Sequence, residues 1–250
     1  MGVRLFRTLH RRLTQMKGQA QVPCGGMEGR FYVASRGEYK HVCGGLFERA
    51  VIERFLSLLE PTDVIYEVGG HIGSWSVFLA KHVDQGALHV FEPDDHNAAR
   101  NRANLALNHL THATVVEAAA SNADGTAGLN TQSDVSAGMH SLVREIEGSR
   151  SVQVRTLRLD GYAAEPGIAP PTAMKIDCEG AEGLVLEGAH ALLAGVRVIM
   201  LEAHGDTLRA AGQSKEEILN RLADAGFTPC LLYTSPSPRD QRGSRMPSSA

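Results

Sequence analysis

Cysteine is scarce and scattered in this 250-residue chain. Its four copies, Cys24, Cys43, Cys178 and Cys230, form no C-x-x-C pair, which argues against a zinc site or a disulfide framework. Charge of one sign is not in excess either. With 25 lysines and arginines against 28 aspartates and glutamates, the formal net charge is −3, so the electrostatic footprint of a nucleic-acid binder is missing. No apolar run is long enough to span a bilayer, and the first residues lack the continuous apolar stretch of a secretion signal. These absences lead us to expect a protein of the reducing cytoplasm. What is there, 43% hydrophobic and 21% charged residues, is ample for one domain with a large core.

The start of the chain mixes Arg4, Arg7, Arg11 and Arg12 with Leu5, Phe6, Leu9 and Leu13 at helical spacing. A basic amphipathic helix over residues 1–16 either touches an anionic membrane surface or packs on its own domain. "GRFYVAS" (Gly29 to Ser35) and "RGEYKHVCGG" read as short strands or a hairpin, and "LFERAVIERFLSLLE" (Leu46 to Glu60) as a lead-in helix that stops before Pro61. Residues 1–60 thus form an N-terminal segment.

Strands and helices alternate from there. "DVIYEVG" (Asp63 to Gly69), "ALHVFEP" (Ala87 to Pro93), "ATVVEAAAS" (Ala113 to Ser121), "AMKID" (Ala173 to Asp177) and "VRVIMLEAH" (Val196 to His204) read as five strands. Helices are expected over 74–83, 96–108, 181–194 and 214–226, the last opened by a capping box of Ser214 and Glu217. A polar insert over 129–162 interrupts the alternation and carries "SVQVRTLRLD", which alternates like an exposed strand. The fold class is α/β: a mostly parallel, Rossmann-like sheet with helices on both faces and ligands at the strands' carboxyl ends. Residues 61–229 form that domain.

Glu67, Glu92, Ser121, Asp177 and His204 each follow an apolar strand, and their convergence on one edge of the sheet marks a site. "YEVGGHIGSWS" (Tyr66 to Ser76) departs from the dinucleotide fingerprint, because His71 and Ser74 stand where two of its glycines belong. The remaining pattern, Glu67 followed by Gly69, Gly70 and Gly73, repels a pyrophosphate and suits a ligand with a cationic amine, such as S-adenosylmethionine (SAM). Tight strand-to-helix turns need glycine whether or not anything binds, so the acids carry the argument. Glu92, 25 residues after Glu67, suits the two hydroxyls of a ribose.

"KIDCEGAE" places Lys175, Asp177, Glu179 and Glu182 around a further strand-to-helix turn. Carboxylates there either cap the helix, the role expected of Glu182, or, for Asp177, act as general base on a substrate hydroxyl. His204 is a second candidate base, or a hydrogen-bonded edge residue. Asp177, Glu179, Glu202 and His204 are of types that hold divalent cations, but no spacing demands a metal and none is assigned. Cys178 reads as a packing residue.

The blocks "DVIYEVGGHIGSWS", "VFEPDDHNAARNRANLALN" and "MKIDCEGAEGLVLEGAHALLAGVRVIMLEAH" together resemble the FkbM family of SAM-dependent methyltransferases over roughly residues 47–229, with "KIDCEGAE" the most specific element. The resemblance implies a class I methyltransferase fold and methyl transfer to a hydroxyl oxygen of a sugar, glycan, polyketide or lipid-linked product. It implies that Glu67, Gly69 and Gly73 line the methionine part of SAM, that Glu92 holds the ribose and that Ala119 to Ser121 border the adenine. The chain departs from the family in Glu67 where Asp is usual and in Gly70-His71 where Ala-Asn is typical; His71 adds a contact. A NAD-dependent Rossmann oxidoreductase or sugar-modifying enzyme and a non-catalytic SAM-fold binding module are the rival readings.

"CLLYTSPSPRDQRGSRMPSSA" (Cys230 to Ala250) is Ser- and Pro-rich with no apolar period. It resembles the conceptual translation of a transposase-type sequencing-library adapter and is expected to be foreign to the protein. The fold the resemblance implies would continue, near Phe227, into two further strands that this tail replaces.

Overall fold

The computed structural model describes residues 18–35, 38–39, 42, 46–131 and 150–229. The basic helix over 1–16, the second Cys-Gly-Gly at 43–45, much of the polar insert and the tail from Cys230 lie outside the described residues.

The first elements are β1 (Gln19–Cys24) and β2 (Met27–Tyr32), an antiparallel hairpin pairing Cys24 with Met27. Gly25 and Gly26 connect them, both in the left-handed region at φ +56° and +75°. A two-residue hairpin turn needs that conformation, so the first Cys-Gly-Gly is turn chemistry. Helix α1 (Leu46–Leu56) follows, and Ile52, Phe55 and Leu56 join Val22, Phe31 and the residues under the main sheet in one core. The N-terminal segment therefore shares its interior with the domain that follows.

That domain is a parallel five-stranded sheet in the order β10-β9-β3-β4-β5, with β3 (Val64–Val68) at its centre. Its other strands are β4 (Ala87–Phe91), β5 (Ala113–Val116), β9 (Ala173–Ile176) and β10 (Val198–Leu201). Helix α2 (Ser76–His82) links β3 to β4, and α3 (Asp95–Leu107) links β4 to β5. β3, β4 and β9 are buried on both faces, as parallel strands between two layers must be, and accordingly are apolar except for the buried Glu67, His89 and Lys175.

Four expectations are corrected. Within the stretch expected as a strand after Ser35, the described residues 38, 39 and 42 are helical, and the hairpin partner of β2 is β1 instead. The apolar run over 113–121 is two strands: β5 ends at Val116, the chain turns with Ala118 N–H donating to the Val116 carbonyl, and β6 (Ala119–Ala120) joins another sheet. That sheet has the order β6-β8-β7, with β7 (Gly125–Thr131) antiparallel to β8 (Arg150–Leu157). A short α4 (Leu159–Ala163) leads from β8 back toward β9. The helix expected over 181–194 is α5 (Glu182–Gly188) followed by a 3₁₀ turn at Leu193–Gly195. Gly188 packs so close to the Ser121 carbonyl oxygen that an added Cβ would overlap it. Between β10 and the last helix lies α6 (Gly205–Ala210), which periodicity did not predict. The last helix, α7 (Lys215–Asp224), opens with the expected capping box: Ser214 Oγ accepts from Glu217 N–H (3.1 Å) and Glu217 accepts from Ser214 N–H (2.7 Å).

The side of α3 that packs inward is a stripe of asparagines. Asn97, Asn101, Asn104 and Asn108, spaced four, three and four residues apart, are all buried. Asn108 accepts from Arg30 N–H (3.0 Å), and Asn104 accepts from Tyr32 N–H (2.8 Å), tying the hairpin to the helix. Buried amides persist where they are hydrogen-bonded, and Asn101, Asn104 and Asn108 donate to the backbones they hold in place.

Candidate active site

Glu67 and Glu92 sit at the carboxyl ends of the central strands β3 and β4. Glu67 is fully buried (0% exposed) and Glu92 nearly so (4%). Ser76, at the start of α2, donates to Glu67 Oε2 (2.6 Å), while Glu67 Oε1 is buried with no hydrogen-bond partner. Burial, opposed by the Lys175 ammonium and by Ser76, pushes the Glu67 carboxyl up to about 7. Glu92 accepts from His71 N–H (2.7 Å) and from Asp94 N–H (3.0 Å). Burial outweighs those two bonds and holds its carboxyl at about 7 as well.

The turn between β3 and α2 is fixed from three sides. Gly69 takes φ +80°, and its missing side chain leaves room for the Asp177 carbonyl oxygen, which a Cβ would overlap. His71 also adopts a left-handed φ of +45°, a conformation costly for a side chain with a Cβ. Asn101 Nδ2 donates to the carbonyls of Gly70 (3.1 Å) and His71 (3.3 Å) and to Ser76 Oγ (2.9 Å), and Gly73 packs on Asn101 itself. The glycines therefore have packing reasons of their own. The ligand chemistry lies in the carboxylates: an unused buried acceptor at Glu67 and a two-oxygen acceptor at Glu92 fit a ligand carrying an ammonium group and paired hydroxyls, as SAM does.

Lys175, on β9 beside β3, joins the two halves of the site. Its ammonium is 2% exposed; it donates to the Gly69 carbonyl (2.9 Å), pairs with Asp177 Oδ2 (3.1 Å) and lies 4.0 Å from Glu67 Oε1. It also sits 5.6 Å above the Trp75 ring, within cation–π range. Burial disfavours this charge, but Asp177 and Glu67 outweigh the burial and raise the ammonium's pKa.

Asp177, Glu179 and His204 come together, partly exposed, at the carboxyl ends of β9 and β10. The side chains of Asp177, Glu179 and His204 are 29%, 28% and 20% exposed. His204 Nε2 lies 3.7 Å from Asp177 Oδ1, 3.8 Å from Glu179 Oε1 and 3.8 Å from Glu202 Oε1, and His204 Nδ1 is 2.7 Å from Glu182 Oε1. Burial works against charge on His204, yet the bond to Glu182 and the carboxylates of Glu179 and Asp177 push the imidazole up to about 9. Glu179 is held at φ +49°. Ligand atoms of Asp177, Glu202 and His204 lie within 4.8 Å of one another, but Lys175 already neutralises Asp177, and no metal role is assigned. Burial beside Glu182 and Asp177 raises the Cys178 thiol well above its ordinary range, which keeps it protonated and unreactive.

The remaining expected residues lie beyond β5. Ala119 packs with Leu129 and Val154 in a small cluster under the second sheet, and Ser121 is 7% exposed beside Gly188. Sequence reasoning missed Ser76, Trp75 and Asn101, and read Glu182 only as a helix cap. Hydrophobic periodicity carries no signal for a polar residue that packs inward, which is why Ser76 and Asn101 were missed.

No helix among the described residues is long and apolar enough to cross a membrane. The 31-O-demethyl-FK506 methyltransferase FkbM of Streptomyces tacrolimicus is 28% identical over 199 residues, covering 68% of this chain and 74% of that protein. The FkbM methyltransferase of Methylobacillus flagellatus KT, a solved structure, is 18% identical with a TM-score of 0.49, over 76% of this chain but only 45% of that one. The precorrin-6y C5,15-methyltransferase of Geobacter metallireducens GS-15 is 18% identical with a TM-score of 0.44, over 72% of each chain. The sequence profile described as the Methyltransferase FkbM domain matches residues 67–229, from the buried acid of β3 to the last described residue. With its parallel β10-β9-β3-β4-β5 sheet, the chain belongs to the FkbM family of SAM-dependent methyltransferases and has their class I α/β fold.

Proposed function

We propose that the protein methylates a hydroxyl oxygen of a small-molecule acceptor, with SAM as methyl donor. One observation carries this reading: two buried carboxylates and a partly exposed group of acids with one imidazole lie along the same edge of the sheet, joined by Lys175. In this arrangement Glu67, Gly69, Gly70, His71 and Gly73 hold the methionine portion, Glu92 the ribose, and Ala119 and Ser121 border the adenine. Glu92 has a double task, since the His71 N–H it accepts shapes the turn.

SAM supplies an already electrophilic sulfonium methyl group. The protein's work is then alignment, which in favourable cases lowers a barrier by several kcal/mol, up to about 7–11, and removal of one proton. Asp177 and His204 are the groups at the carboxyl ends of β9 and β10 able to receive that proton, with Glu179 beside them and Lys175 fixing Asp177 against the turn. The relative from Streptomyces tacrolimicus is named for O-methylation of a complex natural product, which supports a hydroxyl on a sugar, glycan, polyketide or lipid-linked molecule.

Isothermal titration of the full chain with SAM, and separately with NAD, tests the first step. SAM binding that disappears in Glu92→Ala is expected, with no heat from NAD. Binding of NAD and not SAM would overturn the reading. Mass spectrometry of a panel of hydroxylated acceptors incubated with SAM then tests the second step, where transfer to nitrogen or carbon alone would correct the acceptor atom.

A further inference from the structure

Among the described carboxylates around His204, Glu182 is the one that water does not reach. It is 0% exposed at the start of α5, and its Oε1 accepts from Gly180 N–H (3.1 Å) while facing His204 Nδ1 at 2.7 Å. An ionised carboxylate offers acceptors only, so the nitrogen that faces it must carry a hydrogen. For neutral His204 this decides the tautomer: the hydrogen is on Nδ1 and the lone pair on Nε2.

Nε2 points to the other side. The carboxylates nearest to it, from Asp177, Glu179 and Glu202, stand at 3.7–3.8 Å, beyond hydrogen-bond reach, and the imidazole is 20% exposed there. Asp177, the other candidate base, has the buried Lys175 ammonium at 3.1 Å, and an adjacent cation stabilises the carboxylate against taking up a proton.

We propose that Glu182 is a positioning residue for His204, holding the imidazole with its hydrogen on Nδ1 so that Nε2 receives the acceptor's hydroxyl proton. The inference rests on the hydroxyl-methylation reading above. In the step, the acceptor oxygen forms a bond to the methyl carbon and loses its proton to Nε2. The sulfur–carbon bond breaks with its electron pair left on sulfur, which becomes a neutral thioether, and His204 becomes an imidazolium. A buried carboxylate behind an imidazole whose far nitrogen takes a hydroxyl proton is the logic of hydrolase triads.

The charged groups facing His204 are Glu182 from the first turn of α5, Glu179 from the turn before it, Asp177 from the end of β9 and Glu202 from the end of β10. Lys215, at the start of α7, reaches Gly205 beside it. The acids dominate, so His204 is mostly protonated at neutral pH, and the fraction able to act as base grows as pH rises.

The test reads the tautomer directly. Full-length protein labelled with ¹⁵N-histidine, with His204 assigned through His204→Gln, is followed by long-range ¹H–¹⁵N correlation across a pH titration. The expected result is neutral His204 with its hydrogen on Nδ1. In Glu182→Gln, which keeps the shape and the Gly180 bond but removes the charge, the midpoint falls by about 1–3 units. Hydrogen on Nε2 of the neutral wild-type ring, or an unmoved midpoint in Glu182→Gln, overturns the inference. Should Glu182→Gln fail to fold, the wild-type tautomer and Glu182→Asp, in which the retained charge keeps the midpoint within about a unit of wild type, decide it. SAM titration of the same samples separates the two levels. SAM binding with the hydrogen on Nε2 sinks only the Glu182 assignment, whereas no SAM binding sinks the methylation reading, and this inference with it.

Discussion

The carboxyl ends of β3 and β4 and those of β9 and β10 carry the same residue types along one edge of one sheet, yet they have become opposite environments. At the first pair, Glu67 and Glu92 are sealed from water, and hydrogen bonds from Ser76, His71 N–H and Asp94 N–H bind them to the turn they face. At the second pair, the Asp177, Glu179 and Glu202 side chains are 29%, 28% and 59% exposed and surround His204 without touching it. Burial therefore separates a rigid ligand cradle from an electrostatic field kept in contact with solvent. Lys175 spans both, through the Gly69 carbonyl, Glu67 and Asp177.

Removing that link breaks the comparison most severely. Above about pH 7, where Glu67 is ionised, Lys175→Met leaves its carboxylate buried with no cation, and breaking a buried pair in this way costs up to about 3–5 kcal/mol. Urea denaturation is expected to show a loss of that size. Adding Glu67→Gln should recover much of it, because the two sites are coupled and the second change removes the stranded charge. Equal stabilities for wild type and Lys175→Met would mean that the closed end holds itself together without the ion pair.

Titration separates the two ends by pH. The Glu67 and Glu92 carboxyls are raised from 4.5 to about 7 in the fold, so the protonated acids are favoured by folding. Their contribution is fully present below about pH 4.5 and is lost as pH rises through about 7. His204 is raised from 6.5 to about 9, so its contribution is fully present below about 6.5 and is lost as pH rises through about 9. The urea midpoint should thus fall in two successive stages toward alkaline pH. Glu92→Gln should flatten the first stage and His204→Gln the second; a profile that neither variant changes would contradict the assignment of the two windows.

The closed end was the more legible of the two in the sequence, and the reasons are physical. β3, β4 and β9 are short, mostly apolar runs ending in an acid or before a glycine, which is the pattern of strands buried on both faces. The asparagines of α3 were not legible, because hydrophobic periodicity assigns polar residues to the solvent side. Asn101 and Asn104 lie inside only because the carbonyls of Gly70, His71 and Ile72 need donors there. The break after Val116 was hidden by alanines that suit either sheet. Glu182 read as a cap because its partner, His204, lies 22 residues on, and no local pattern reports a return of the chain. Asp177, Glu179 and His204 were found from their strand ends, but which of them faces which group was set by burial alone.

The smallest expected effect is at Glu202, and it tests whether the open end is a field or a framework. Its carboxylate lies 3.8 Å from His204 Nε2 but is 59% exposed, so water screens most of the attraction, and exposed pairs contribute about 0–1 kcal/mol. Loss of hydration raises its carboxyl, with the Asp177 charge adding to that rise and His204 and Lys175 opposing it. Glu202→Gln removes one of the repelling acids together with one of the attractions to His204, and these changes offset each other. Stability should stay within about 0.5 kcal/mol of wild type, and the His204 midpoint should move down only slightly, because Glu182 is far closer. A loss as large as that of Lys175→Met would show that the open end is as tightly built as the closed one. The contrast between cradle and field would then lie in exposure alone.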